Sequence, residues 1–349
     1  MGTQSDIIQW YRSEKRDLPW RHTKDPYKIW LSEIILQQTR VQQGLPYYLK
    51  FVENFPQISD FANASEDQIL SLWQGLGYYS RARNMHTAAK TVVNDFGGVF
   101  PSTYEEILSL KGVGPYTAAA IASFAFDLPR PVIDGNVFRV ISRLFCILSP
   151  IDKPQGKKEI TQALESIFSN SEPATWNQAI MEFGAMQCTP KKPLCETCPI
   201  QEKCLAFEHN KVLELPNKEG KVKVKKMDLR YFDFRYGDKL YIRKRTAGAW
   251  KNLYEYPVIE DGLKDFNLVD AIHSFLPQKN SWKLKNKYTC THLLSHRQIS
   301  AYFYTIYLDS KPFFLKSNIF ETHKNDLGER YPISTLISKY IQQLENYDK

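Results

Sequence analysis

Four of the six cysteines lie close together in the sequence, at Cys188, Cys195, Cys198 and Cys204. Their spacing is C-x6-C-x2-C-x5-C, and thiolates at such short intervals are typical ligands of iron or zinc. Structural zinc sites usually pair two C-x2-C units, whereas only Cys195 and Cys198 form such a unit here. The spacing by itself therefore indicates a metal centre and leaves both metals open.

Two carboxylates are candidates for acid and base chemistry. Glu33 lies among apolar residues of a predicted helix, and burial there would raise its pKa and keep it protonated as a general acid. Asp134 precedes a second predicted helix, where backbone N–H groups at the N-cap would stabilise its ionised form. Without further information, a solvated helix glutamate and an ordinary helix cap are the commoner explanations of these two residues.

The segment LKGVGPYTAAAIASFAF predicts a helix-hairpin-helix near residues 102–126. Gly112 and Gly114 allow positive φ angles in the turn, and Pro115 suits the first position of the second helix. Free N–H groups at that helix start can hold a phosphate without reading base sequence. The pattern favours DNA binding, although a mononucleotide site or a plain helical hairpin fits it as well.

The elements that must position these residues are helices in the first part of the chain. Asp25 with Pro26 predicts one helix start, and capping boxes at Ser65 and Ser102, with Gln68 and Glu105 three residues later, predict two more. Gly77 suits the end of the second of these helices. We expect an all-α region over residues 1–210.

Composition changes after the cysteines. Residues 211–227 lose apolar periodicity and carry several lysines, which predicts a basic linker. Beyond it, LRYFDFRY and KLYIRKR around a Gly-Asp turn predict a hairpin, and QISAYFYTIYL predicts a further strand. Apolar residues at helical spacing over 333–344 predict a final amphipathic helix. The second domain, residues 228–349, is therefore predicted to be α+β.

The 349 residues, of which 43% are hydrophobic, suffice for two domains with separate cores. The formal net charge of +8 favours a polyanionic partner. Cys146 and Cys290 lie far apart, so no framework of a secreted disulfide-rich protein is expected. No apolar run suggests a signal peptide or membrane span, and we expect a nucleoid-associated protein of the bacterial cytoplasm without a membrane partner.

Taken in order, the runs WLSEIILQQTRV, LKGVGPYTAAA and IDGNVFRV and the cysteine loop resemble the MutY family of adenine DNA glycosylases. The resemblance covers about residues 7–210 and continues more weakly to the end. It implies a helix-hairpin-helix glycosylase region with a [4Fe-4S] loop over residues 188–204, followed by a C-terminal MutT-like domain of Nudix fold. The implied function is excision by a monomer of adenine opposite 8-oxoguanine or guanine in double-stranded DNA.

The resemblance also implies roles for single residues. Glu33 would protonate the adenine, and Asp134, with Asn136 nearby, would stabilise the positive sugar that remains. Tyr116 stands where bifunctional relatives in the endonuclease III superfamily have the lysine that forms a Schiff base. Because a phenol cannot form that imine, we expect base removal without an efficient strand-cleaving step.

Further residues are expected to contact the DNA. Gln38 and Tyr78 would wedge into the base stack, and Thr39 closes the segment that carries Glu33. The hairpin glycines Gly112 and Gly114 would contact phosphate. The remaining positions matched to the base pocket or the opposite base are Leu18, Trp20, Arg21, Gln178 and Met181.

The C-terminal domain lacks the REx2EE signature of a nucleotide pyrophosphatase, so we assign it recognition and no hydrolysis. Its segment THLLSHRQI is similar to a Phe-Ser-His loop of the family. Leu294 replaces the aromatic residue before Ser295 and His296, and a leucine can also pry base steps apart.

Two alternatives come from other functional classes. A bifunctional glycosylase and lyase acting on oxidised pyrimidines would share the superfamily motifs but should carry lysine in place of Tyr116. A non-catalytic iron–sulfur DNA-binding protein would need neither Glu33 nor Asp134.

Overall fold

The computed structural model describes residues 2–168, 170–220, 224–260, 266–277 and 280–347. The chain forms two compact units: the first comprises Met1–Ala62 and Thr87–Lys221, and the second Asn63–His86 and Val222–Lys349. By their contacts, residues 63–86 therefore belong with the C-terminal sheet. The sequence had predicted them as part of the all-α region over residues 1–210. The boundary between the two units near residue 221 lies inside the predicted linker, residues 211–227.

The helices of the first part follow one another directly, except that the cysteine-bearing stretch separates the last two. Their bounds are α1 Thr3–Glu14, α2 Pro26–Leu36, α3 Val41–Asn54, α4 Ile58–Asn63, α5 Glu66–Leu72, α6 Ser80–Asp95, α7 Tyr104–Ser109, α8 Pro115–Phe126, α9 Gly135–Leu144, α10 Pro154–Ile167, α11 Pro173–Met186 and α12 Leu205–Glu208. Helices α1, α9, α10 and α11 enclose a core around Trp176 and Phe183, which are both buried.

Side-chain caps fix where several of these helices begin. The Asp25 carboxylate accepts from the backbone N–H of Tyr27 at 3.0 Å and starts α2 as predicted. The capping box of Ser65 and Gln68 is also confirmed. The prediction of a box at Ser102 and Glu105 is wrong by one residue, because Thr103 has the extended backbone and caps α7 with Glu106.

Two predictions about glycines need correction. Gly112 has a φ of 81°, but Gly114 has a φ of −99° and serves as the extended N-cap of α8. Helix α5 ends at Leu72, ahead of Gly77, which has a φ of 72° in the following loop. The Trp73 indole N–H donates to the Gly77 carbonyl at 3.0 Å, and this hydrogen bond holds the loop that follows the helix.

The described residues of the C-terminal part form a seven-stranded sheet and two helices. The bounds are β1 Lys225–Tyr236, β2 Lys239–Lys244, β3 Tyr254–Glu255, β4 Val258–Glu260, α13 Leu268–His273, β5 Trp282–Leu294, β6 Arg297–Leu308, β7 Ile319–His323 and α14 Thr335–Tyr347. The strand order is β3-β2-β1-β6-β5, with β4 paired to β1 and β7 to β2. The predicted hairpin is confirmed as β1 and β2, the later strand as β6 and the final helix as α14.

Helix α5 and the loop after it are fastened within the second unit by polar contacts. Asp67 accepts from Lys244 Nζ at 2.7 Å and from the Tyr254 hydroxyl at 2.9 Å. Arg83 Nη1 donates to the Lys251 carbonyl at 2.8 Å. These bonds join residues far apart in sequence and explain why residues 63–86 group with the sheet.

Among the described residues, no helix combines the length and the apolar character that crossing a membrane requires.

Candidate active site and iron–sulfur loop

A cavity of about 670 Å³ opens in the first unit between the Pro19–Arg21 turn and helices α2, α8, α9 and α11. Most of the residues predicted for the active site line it, although they come from distant parts of the sequence. These are Leu18, Trp20, Arg21, Glu33, Gln38, Thr39, Tyr116, Asp134, Asn136, Gln178 and Met181. A volume of this size suits a ligand as large as a nucleobase.

Glu33 lies in this cavity with its carboxyl group hydrogen-bonded to Tyr116. The Tyr116 hydroxyl donates to Glu33 Oε2 at 2.7 Å, and Glu33 is 9% exposed. Burial raises the pKa of Glu33 to about 7, helped by the charge of Asp134 and opposed by the Tyr116 hydrogen bond and Arg21. A carboxyl group with this pKa is a competent proton donor near neutral pH.

Asp134 is held as the N-cap of α9. Its Oδ1 accepts from the backbone N–H groups of Asn136 at 2.8 Å and Val137 at 2.7 Å, and Asn136 Nδ2 donates to Oδ2 at 2.7 Å. Burial raises the pKa of Asp134, while these hydrogen bonds and Arg139 act in the opposite direction. The carboxylate is thus fixed in orientation at the cavity wall.

Arg139 links this aspartate to the cysteine loop. Its Nη2 donates to Asn136 Oδ1 at 2.9 Å and to the Gly184 carbonyl at 2.6 Å, while its Nε donates to the Cys188 carbonyl at 2.8 Å. Arg139 was not predicted from the sequence. Its signal was an arginine three residues after Asn136, and therefore on the same helix face, between the apolar residues Phe138 and Val140.

Replacing Arg139 by glutamine should lower the single-turnover rate of base excision by about 10- to 100-fold, the usual cost of losing a residue that supports a metal ligand or a catalytic group. A glutamine cannot reach the Asn136, Gly184 and Cys188 oxygens together, so Asn136 and the Asp134 carboxylate that it bonds are held less firmly. Single-turnover excision rates measured by quenching the reaction would test this. Arg130→Gln, at an arginine whose contact with Glu105 is exposed, is the control; equal rates for the two variants would contradict the assignment.

The four cysteines Cys188, Cys195, Cys198 and Cys204 line one small pocket of about 30 Å³ beside α9. In the described part of the chain, no three His, Cys, Asp or Glu side chains are placed to hold a single metal ion. A cluster takes one thiolate at each iron, so its ligands need not converge on one point. The thiols around a shared pocket fit such a group.

Arg143 braces the start of this loop. Its guanidinium donates to the carbonyls of Thr189 at 2.8 Å, Pro190 at 3.0 Å and Leu215 at 3.1 Å, and Nη1 lies 3.3 Å from Cys188 Sγ. The side chain is buried. These hydrogen bonds fix the backbone of Thr189 and Pro190 directly after the first cysteine of the loop.

Other predicted DNA contacts lie outside the cavity. Gly112 and Gly114 form the turn between α7 and α8. Tyr78 and Ser295, both in the second unit, share a hydrogen bond between their hydroxyls, and Ser295 with His296 forms the exposed turn between β5 and β6. Leu294 packs against the core of the sheet. Its neighbour Leu293 is 72% exposed.

Comparison with known proteins agrees with this site. Residues 31–170, which carry Glu33, Tyr116 and Asp134, match the HhH-GPD superfamily of base excision DNA repair proteins, and this defines the class of the protein. Residues 188–204 match the iron–sulfur binding domain of endonuclease III, so the loop is a [4Fe-4S] site and not a zinc site. An adenine DNA glycosylase of Buchnera aphidicola subsp. Baizongia pistaciae is 34% identical over 98% of this chain and 96% of its own. The chain belongs to the MutY family of adenine DNA glycosylases.

Other relatives match a smaller share of the chain. The adenine DNA glycosylase of Mus musculus is 41% identical over 59% of this chain and 42% of its own. The solved structure of a thermostable thymine-DNA glycosylase is 32% identical, with a TM-score of 0.54 over 59% of this chain and 95% of that one. A non-covalent endonuclease III–DNA complex, 20% identical with a TM-score of 0.52 and covering 59% of this chain and 94% of that one, shares the fold.

Proposed function

We propose that this protein removes adenine mispaired with 8-oxoguanine, and less stringently with guanine, from double-stranded DNA by hydrolysis of the N-glycosidic bond. The observation that carries the proposal is the Glu33 carboxyl, buried with a pKa near 7 and hydrogen-bonded to Tyr116 in the cavity that also holds Asp134. Two carboxyl groups in unlike surroundings are what glycosidic cleavage uses to divide the acid and stabilising roles.

The residues of the cavity divide the reaction between them. Glu33 donates its proton to a ring nitrogen of adenine, which makes the base a better leaving group. The Asp134 carboxylate, held by α9, stabilises the oxocarbenium-like sugar as the base departs. Tyr116 orients Glu33 through its hydroxyl, and Asn136 does the same for Asp134.

Removal of the base without strand cleavage follows from the residue at position 116. A lyase needs an amine that attacks C1′ of the sugar and forms an imine. Tyr116 places a phenol there, and burial holds its pKa well above the usual value. Water is therefore the nucleophile that completes the reaction, and the product is an intact strand with an abasic site.

The iron–sulfur loop positions a basic surface for the DNA backbone. Cys188, Cys195, Cys198 and Cys204 would hold the cluster, which fixes the conformation of residues 188–204. Lys191 and Lys192 are exposed between the first two of these cysteines. Cationic side chains at a rigid loop bind phosphates and release counterions, so binding should weaken as salt rises.

Two exposed residues are suited to fill the gap that an extruded adenine leaves. Gln38 and Tyr78 are both exposed, and both have the left-handed backbone conformation, with φ of 56° and 48°. A non-glycine residue in that region is strained by about 1–3 kcal/mol, and such strain concentrates at functional sites. Insertion of a side chain into the stack offsets part of the cost of flipping the base.

The sheet of the second unit would act as a MutT-like domain that senses 8-oxoguanine. Ser295 and His296 lie exposed in the turn between β5 and β6, and Ser295 contacts the wedge residue Tyr78. Their polar groups can bond the extra N–H and carbonyl that oxidation adds to guanine. The sequence suggested Leu294 as a wedge between base steps, but its side chain packs against the core of the sheet, so in this scheme it supports the turn.

The test is excision from duplexes in which adenine lies opposite 8-oxoguanine or guanine, with strands examined before and after hot alkali. We expect cleavage only after alkali. Cleavage of a thymine-glycol duplex without alkali would instead establish a bifunctional lyase, and binding without excision a non-catalytic protein.

Ser295→Ala should reduce the preference for 8-oxoguanine by about 10-fold, the value of one good hydrogen bond. Ser310→Ala, at another exposed serine of the second unit, should leave this preference unchanged in the same excision assay.

A further inference from the structure

Glu182 lies in α11 at the cavity wall and binds two arginines at once. Its Oε1 accepts from Arg16 Nε at 2.8 Å and Arg21 Nη1 at 3.0 Å, and its Oε2 accepts from Arg21 Nη2 at 2.7 Å. The side chain is 1% exposed. Burial would raise the pKa of Glu182, but the two arginines lower it to about 2. The carboxylate is therefore ionised and rigidly held.

This arrangement fixes the guanidinium of Arg21 in one orientation. Nη1 also donates to the Arg16 carbonyl at 2.9 Å, and the group lies over the Tyr11 ring, 5.5 Å from its centre. Glu182 occupies the end of the guanidinium, so the N–H of Nε and the second hydrogen of Nη2 have no partner among the described residues. These two N–H groups are parallel and can bind two acceptors, or one acceptor between them.

We propose that Glu182 is a positioning residue that holds Arg21 so that this free edge meets acceptor atoms of the flipped purine base. Arg21 lines the cavity and its side chain is 12% exposed, so the edge is available to a ligand of the size of a base. A purine presents ring nitrogens with lone pairs in its plane, which suit planar N–H donors. The inference rests on the proposed function, since it names how the same cavity holds its substrate.

The position of Arg21 also bears on the proton of Glu33. The titratable groups that act on Glu33 are Tyr116 from α8, Asp134 from α9 and Arg21 from the Pro19–Arg21 turn. Arg16, Arg40, Arg139 and Glu182 line the same cavity. Burial raises the pKa of Glu33 and the charge of Arg21 opposes that rise. If Arg21 swings away, the pKa of Glu33 rises and excision persists to higher pH.

The experiment uses the full chain with its cluster and the variant Glu182→Gln. Binding is measured to a duplex with 2′-fluoro-2′-deoxyadenosine, whose base leaves slowly, and to a duplex with a tetrahydrofuran abasic site, which puts no base in the cavity. We expect Kd to rise about 10- to 100-fold for the first duplex, as for loss of a hydrogen bond with a charged group, and to stay unchanged for the second. The basic limb of the pH–rate profile should move upward.

The controls separate this role from a structural one. Glu172→Gln, at the exposed partner of Arg12 just before α11, should leave both Kd values and the basic limb of the pH–rate profile unchanged. Equal losses on both duplexes with an unmoved pH limb would overturn the proposal. If Glu182→Gln does not fold, Arg21→Lys, which keeps the charge but lacks the parallel edge, must show the same selective loss. Absence of adenine excision by the unmodified protein would refute the proposed function instead.

Discussion

Replacing Glu33 by glutamine is expected to reduce single-turnover excision of adenine by about 100- to 10,000-fold, the range that general acid catalysis contributes. Glutamine has nearly the same shape and can still accept the Tyr116 hydrogen bond, but it has no proton to give. Duplex binding should change little, because the lost interaction operates only in the transition state. Glu105→Gln, at an exposed glutamate of α7, is the matched control.

The pH dependence of the unmodified protein tests the same residue. Because burial raises the pKa of Glu33 to about 7, the protonated form predominates below pH 7 and is lost above it. Excision should therefore fall about tenfold per pH unit on the basic side. A rate that stays constant from pH 6 to about pH 9 would contradict the assignment of Glu33 as the acid.

The same shift predicts an effect on stability with a definite sign. A carboxyl whose pKa is raised on folding stabilises the fold only while it is protonated, so its contribution is lost as pH rises from about 4.5 through 7. Glu33→Gln should therefore be more stable than the unmodified protein at pH 8.5, by up to about 3 kcal/mol, and equally stable near pH 4. Unfolding of both proteins by urea at the two pH values measures this difference.

Replacing Cys198 by serine should remove the cluster and lower excision by about 100-fold, the upper end of the cost of losing a supporting residue. The loop of residues 188–204 is built from short turns, and its carbonyls hold Arg139 and Arg143. Without the cluster those carbonyls lose their fixed positions. Arg139 then no longer holds Asn136 in place, and Asn136 no longer holds the Asp134 carboxylate. Iron content, visible absorption and excision should all fall together.

Cys146 and Cys290 provide matched controls for that substitution. Both are partly buried free thiols and neither lines the pocket of the four cysteines. Cys146→Ser and Cys290→Ser should keep the iron and the activity. Retention of full iron content by Cys198→Ser would show that this thiolate is not a ligand.

Much of the helical part could be predicted from sequence because its signals are local. Asp25, Ser65 and Asp134 are caps that act within three residues, and each stands where a helix begins. The Thr103 cap was misplaced because Ser102 is an equally good residue by type, and only the backbone conformation decides between them. Gly114 was misjudged for a related reason, since glycine permits a positive φ without requiring one.

The rest depended on contacts between residues far apart in sequence. Strand β5 was missed because it lies at the edge of the sheet, and its lysines interrupt the apolar alternation that marks a strand. Arg16 and Glu182 carry no motif, and only the fold brings them together from 166 residues apart. The residues assigned to catalysis from the family motifs, in contrast, converge on one cavity.

The grouping of residues 63–86 with the C-terminal sheet has a consequence for synthesis of the chain. Helix α5 obtains its partners Lys244 and Tyr254 only after well over a hundred further residues have been made, a delay on the order of ten seconds at usual translation rates. During that interval Asp67 lacks both of the donors that hold α5 in the second unit. The second unit can therefore be completed only after its C-terminal strands have been synthesised, although one of its helices is among the first parts of the chain to be made.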